Sequence, residues 1–317
     1  LGPVIGYNSA TYGQSGLEAG LDDHLRGLRG YPNSTIWITQ VLYTQAPPGL
    51  DVRLSIEKSL QSTTDNLLVG STGALILLNA RSGEIYVMSS APTFDPNQLE
   101  GKWETWIKDD QSPLVNRPTQ GLYPIGTALG PFLLSSTTQV QNLPQPPASL
   151  QTSSKDRWLN CAIPPAQSDD WGAIIQSGCP GANLTLSNTL TSVDIRTLYD
   201  QLGFDDNPVV PLASAVSVLP QTDFSVTDAV IGEDGLRITP LQMSLAAAAL
   251  SNHGVRPAPR LAIAVNTPHQ GWVLLPAEDS IEALPQTNVD KIVKLLAISE
   301  LPVWESLSNA YTEDGKL

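Results

Sequence analysis

Residues 112–132 read SPLVNRPTQGLYPIGTALGPF. Within it Tyr123, Pro124 and Gly126 precede Thr127, which carries a hydroxyl. Three residues on, one helical turn along and on the same face, the chain has Gly130, which carries no side chain. Outward from this stretch lies the clearest hairpin of the sequence. GALILLNA (73–80) is a buried strand, Arg81-Ser82-Gly83 the turn, and EIYVMSSA (84–91) the returning strand.

Before the hairpin, Ile56, Leu60, Leu67 and Leu68 have helical spacing. Nearer the N-terminus a short helix is expected over 17–28. The apolar-polar alternation over 35–43 reads as a strand, punctuated by Pro47-Pro48-Gly49. Downstream, residues 141–170 are rich in Pro, Gln and Ser and read as a loop. Helices follow over 194–202, ended by Gly203, and over 240–252, with Pro240 in the first turn and His253-Gly254 at the end. Strands over 260–265 and 272–275 and a helix over 288–297 complete the pattern. A hairpin, a helical middle and late strands predict a mixed α and β fold with an antiparallel sheet.

The chain has 317 residues, 41% hydrophobic and 15% charged, which suits a folded protein and excludes a disordered tail. Its 17 Lys and Arg against 31 Asp and Glu give a net charge of −14. The cations form no stripe, so a nucleic-acid backbone is excluded as a partner, and a polybasic grip on anionic lipid is disfavoured. No apolar run approaches the roughly 20 residues that cross a bilayer. The opening LGPVIGY, without Met, reads as the middle of a folded segment with a leader or anchor upstream of it.

His24, His253 and His269 lie far apart, with no HExxH or paired-Cys context, so neither a metal nor another cofactor is expected. His253, at a helix end, suits a dipole contact. No Walker loop, GxGxxG or GxSxG occurs. Sequons at Asn33 and Asn183 arise readily by chance. Cys161 and Cys179, eighteen positions apart, are compatible with a disulfide or with two buried thiols.

Five ordered blocks carry a resemblance: VIGYNSATYGQSGLEAGLDDHLRG (4–27), DVRLSIEKSLQ (51–61), GALILLNARSGEIYVMSSAPTFDPNQL (73–99), the 112–132 stretch, and GLRITPLQMSLAAAALSNHGVRPAPRL (235–261). Together they resemble the extracytoplasmic part of class B penicillin-binding proteins, the serine transpeptidases that cross-link peptidoglycan. The resemblance implies a five-stranded antiparallel sheet flanked by helices, beside an all-helical part, with the active site between them. Residues 1–50 resemble the connection from the pedestal. Residues 51–317 resemble the transpeptidase domain, with YTEDGKL (311–317) as the turn into strands and a helix that would lie beyond it. The resemblance also implies the outer face of a bacterial membrane, an N-terminal anchor as the only membrane contact, and cell-wall peptide or division and elongation proteins as partners. For an exported protein it further implies a Cys161–Cys179 disulfide.

The family's three reactive elements depart from pattern. S-x-x-K pairs a nucleophilic Ser with a Lys one turn away that takes its proton. Here the matching positions are Thr127 and Gly130, a crowded hydroxyl and no base. S-x-N occurs nowhere. By context its place falls on Ser177-Gly178-Cys179, with Cys179 for Asn. K-T-G lines the cleft edge, and by order its place falls on 301–307, where Trp304 and Glu305 would bring bulk and negative charge. Ser55-Ile56-Glu57-Lys58 and Arg81-Ser82-Gly83 mimic two of the motifs but match family segments with other roles. The departures predict a pseudoenzyme with a binding or scaffold role in wall synthesis. The alternative is an acyl-transferase or hydrolase that uses Thr127 with a base from elsewhere. Within the resemblance, Thr127 is also expected to cap its own helix, and Trp103, Trp106, Trp158 and Trp171 to be packing residues.

Overall fold

The fold is that of a computed structural model, which describes residues 1–136, 145–147, 149–154, 157–220, 224–298 and 303–310. Short helical turns at Gly2–Ile5, Gly16–Gly20 and Asp22–Leu25 open the chain, the last two replacing the single helix expected over 17–28. Then comes helix α1 (Asn33–Tyr43), where alternation had predicted a strand. Among the described residues no strand runs beside it, so this segment meets its backbone hydrogen bonds internally. Thr44, at φ 53°, closes it by donating its N–H to the Gln40 carbonyl.

Strand β1 (Val52–Leu54) leads to α2 (Lys58–Leu67), whose first turn is capped by the Glu57 carboxylate on the Ser59 N–H. The Ser55 hydroxyl lies 2.7 Å from the Ile85 carbonyl and 2.9 Å from that of Arg260. The S-x-x-K mimic thus fastens β1 to its neighbours. Strands β2 (Gly73–Leu78) and β3 (Ile85–Ala91) form the expected hairpin, with Arg81-Ser82-Gly83 as its turn. Helix α2 packs on β3, where Gln61 donates to Ser89 Oγ and accepts from the Met88 N–H.

The helical part follows: α3 (Gly130–Ser136), α4 (Trp171–Gln176), α5 (Pro180–Ser187), α6 (Ser192–Leu202) and α7 (Pro240–Ser251). Strands β4 (Ala262–Thr267) and β5 (Gly271–Leu274) and helix α8 (Gln286–Leu295) complete the labelled elements. Strand β4 pairs antiparallel with both β1 and β5, and the hairpin joins this layer at a Glu84–Arg260 bridge. The mixed α and β architecture agrees with the expected fold. Of the five-stranded sheet, the described residues contain the β2–β3 hairpin. The expected turn at 311–317 lies outside the described residues.

Two apolar cores result. One is helical, around Leu129, Phe132, Ile174, Ile175, Leu198 and Tyr199; the other lies under the sheet, around Val4, Ile85, Met88 and Leu261. Helix α7 belongs to both, with Leu241 and Leu245 in the sheet-side core and Ala246, Ala249 and Leu250 in the helical one. Its length follows from its ends. Pro240 sits in the first turn, and Thr239 and Gln242 form a reciprocal capping box. At its far end His253, just past the helix, places its Nδ1 2.7 Å from the Asp290 carboxylate on α8. Trp171 is buried, whereas Trp158 is 69% exposed and is no packing residue.

Candidate active site

A single 3₁₀ turn, Gly126–Leu129, carries Thr127 and feeds directly into α3. Ile125 and Leu129 fix it to the helical core. Gly126 is obligatory on two counts. Its φ of 57° is left-handed, and a Cβ there would lie 2.0 Å from the Asn309 carbonyl oxygen. The chain at 306–309 therefore runs directly against the turn that presents the hydroxyl.

Thr127 is 6% exposed. Its hydroxyl does not cap its own helix. It donates to the Gly178 carbonyl at 3.0 Å and lies 3.3 Å from the Ser308 hydroxyl. Ser308 in turn reaches the Ile125 carbonyl at 3.1 Å. The Thr127 proton thus rests on a peptide carbonyl, which is no general base at neutral pH. Among the described residues, no Lys, His, Asp or Glu hydrogen-bonds Thr127 Oγ1.

The space at Gly130 is occupied. A Cβ there would sit 2.9 Å from Asn183 Oδ1 and 3.1 Å from Ile175 Cδ1. Asn183 is 1% exposed, and its Nδ2 donates to the carbonyls of Thr127 (3.1 Å) and Val230 (2.8 Å). This residue ties the Thr127 turn to α5. As a sequence feature it stood out only as a sequon, and its burial removes it as an acceptor for a glycan.

Ser177, Gly178 and Cys179 do lie beside Thr127, as their place in the order of motifs implies. Ser177 is buried and its carbonyl accepts the Ala162 N–H at 2.8 Å, while Cys179 is disulfide-bonded to Cys161. Gly178, at φ 63°, takes a backbone contact that leaves no room for a side chain, with the Leu307 carbonyl 2.2 Å from a Cβ built there. The Leu307 N–H donates to the Gln176 carbonyl at 2.8 Å, and the Ser306 hydroxyl to that of Ile175 at 3.2 Å.

The third element needs a correction. Trp304 and Glu305 do not line the site. Trp304 bridges Ala297 and donates its indole N–H to Ser251 Oγ, and Glu305 is exposed. Ser308 and Asn309 are the residues that reach the Thr127 turn, while Ser306 and Leu307 lie against residues 175–178. Without a K-T-G triplet to anchor the register, sequence order alone placed the contact a few residues too early.

On the sheet side of the turn lies a cavity of 380 Å³ lined among others by Gly73, Tyr123, Ile125, Ile238, Met243 and Ser308. Among the described residues its lining includes no Lys, Arg, His, Asp or Glu, and partial burial pushes the Tyr123 hydroxyl up from its ordinary pKa. Among the described residues no group of three or more His, Cys, Asp or Glu converges to hold a metal.

The signature of the penicillin-binding-protein transpeptidase domain matches residues 73–299. The chain belongs to the class B penicillin-binding proteins. It is 25% identical over 301 residues to the peptidoglycan D,D-transpeptidase PbpA of Mycolicibacterium smegmatis, covering 84% of this chain and 59% of that one. With MrdA, the peptidoglycan D,D-transpeptidase of Escherichia coli, it shares 31% identity over 134 residues, 39% of this chain and 21% of MrdA. It thus spans about three fifths of the first relative and a fifth of the second. Penicillin-binding protein A of M. tuberculosis, solved as a ceftriaxone acyl-enzyme, has the same fold at a TM-score of 0.78 and 21% identity, over 93% of this chain and 72% of that one. The D,D-transpeptidase domain from Eggerthella lenta gives 0.80 at 20% identity, over 99% and 79%. Among the described residues no helix is long and apolar enough to cross a membrane.

Proposed function

We propose that this chain is a non-catalytic member of its family, acting at the extracytoplasmic face of the membrane as a scaffold or regulator in peptidoglycan synthesis. One observation carries the reading: Gly130, one helical turn from Thr127, offers no side chain, and a Cβ there would already lie 2.9 Å from Asn183 Oδ1 and 3.1 Å from Ile175 Cδ1. A general base is worth about 10²–10⁴ in rate, and among the described residues the nucleophile position has no base within hydrogen-bond reach. The groove between Thr127 and residues 177–178 is filled by the chain's own residues 306–309, which favours a scaffold over a peptide binder.

Incubation with a fluorescent penicillin, followed by a denaturing gel, tests the reading. No covalent band is expected at the mass of the protein. A band that disappears in Thr127→Val would overturn it and establish Thr127 as a nucleophile served by some other base.

A further inference from the structure

Helix α1 has its apolar side facing outward. Trp37, Ile38, Val41, Leu42 and Tyr43 are 65%, 42%, 55%, 68% and 67% exposed. Positions 37, 38, 41 and 42 share one face, each pair repeated one turn later. The half-buried positions of the helix are Thr35, Ile36 and Thr39, whose hydroxyl bonds back to the Thr35 carbonyl. Among the described residues no other helix or strand packs extensively along it.

The segment is also a clasped projection. The Tyr31 hydroxyl donates to the Pro48 carbonyl at 3.0 Å, which closes the base of the excursion between them. From residue 30 to residue 50 there is no charged side chain, in a chain with 17 cationic and 31 anionic residues. An outward apolar patch of this kind marks an interaction surface rather than ordinary surface variation.

We propose that α1 inserts its apolar face into the headgroup–acyl boundary of a zwitterionic lipid bilayer. Eleven residues make a helix of about 16 Å, too short to span roughly 30 Å of hydrocarbon, so α1 lies in the plane of the surface. Trp37 and Tyr43 are the side chains favoured at that depth, with one apolar end and one polar end. The projection has no charged rim to match to a protein partner. Pairing two copies would bring two −14 chains together. Anionic lipid would repel the same charge, and α1 offers no Lys or Arg in compensation. The contact is therefore apolar and insensitive to salt. It adds a second membrane contact to any anchor and stands or falls independently of whether Thr127 reacts.

Flotation of the full chain with phosphatidylcholine vesicles tests the proposal. The protein should float with the vesicles equally at 0.1 and 1 M NaCl (roughly a threefold change in Debye length). Val41→Asp/Leu42→Asp should weaken this at least tenfold, with an unchanged Tm. Lipid brominated in its acyl chains should quench a tryptophan signal that Trp37→Phe removes. Failure to float, or flotation indifferent to both variants, would overturn the proposal. So would a concentration-dependent dimer, without lipid binding, that the double variant dissociates. Trp37→Ser serves as a second disruptive variant should the double one fail to fold.

Discussion

Helices α1 and α7 are nearly equal in length, 11 and 12 residues, both are rich in apolar side chains, and neither contains a charge. They have opposite environments. Helix α7 begins on a reciprocal capping box, buries Leu241, Gln242, Leu245, Ala246, Ala248, Ala249 and Leu250, and joins the two cores. Helix α1 begins on Pro32 with no side-chain cap and buries none of its residues. Isolated helices shorter than about 12–15 residues are marginal in water, so α7 is stabilised by what it packs against, while α1 depends on its clasp and on whatever covers it. Apolar content alone distinguishes neither the fold-bearing helix nor the projecting one. Caps and the direction of the apolar face do.

The contrast can be broken by substitution. Leu245 is 1% exposed in the sheet-side core, and Leu245→Ala should lower the unfolding free energy by about 2–5 kcal/mol in urea titrations. A loss below 1 kcal/mol would mean that α7 does not bear the fold. Gln242→Ala comes next. It removes the cap on the Thr239 N–H and the bonds to the Asp206 carbonyl (2.8 Å) and Ser217 Oγ (2.7 Å), all buried or part-buried. About 1–3 kcal/mol should be lost, read from the same titrations.

Asp234 sharpens the comparison on the α6 side of the same core. Its carboxylate accepts from the Tyr199 hydroxyl at 3.0 Å and the Leu236 N–H at 3.1 Å, and burial raises its pKa above the ordinary carboxylate value. A folded-state pKa above the unfolded one contributes stability that is full below the unfolded value and is lost as pH rises through the folded value. Asp234→Asn, which keeps an acceptor for Tyr199, should therefore gain stability relative to wild type between pH 4 and pH 7. A difference that stays constant across that range would remove burial as the cause. The smallest effect belongs to α1: Leu42→Asn, at a 68% exposed position, should leave the unfolding free energy within about 0.5 kcal/mol in the absence of lipid.

Much of the fold was legible because it is encoded locally. The hairpin turn at Arg81-Ser82-Gly83, the Gly203 stop after α6 and the Pro240 start of α7 are residues whose backbone preferences act within a few positions. That Gly130, one turn from Thr127, carries no side chain is equally plain from spacing. Helix α1 was misread because Ile36, Trp37, Ile38 and Val41 are strand formers, and propensity could not reveal that no partner strand lies alongside. Asn183, Ser308 and the backbone of 306–309 were invisible as site residues because they reach Thr127 across 56 to about 180 positions, through tertiary packing that leaves no local mark.

The crowding at Gly130 limits what this position could accept. A Gly130→Lys change by itself would drive the new side chain into Asn183, whose amide is already committed to two carbonyls, and into Ile175. Seating a longer side chain in this place would call for Ile175 on α4 and Asn183 on α5 to give way.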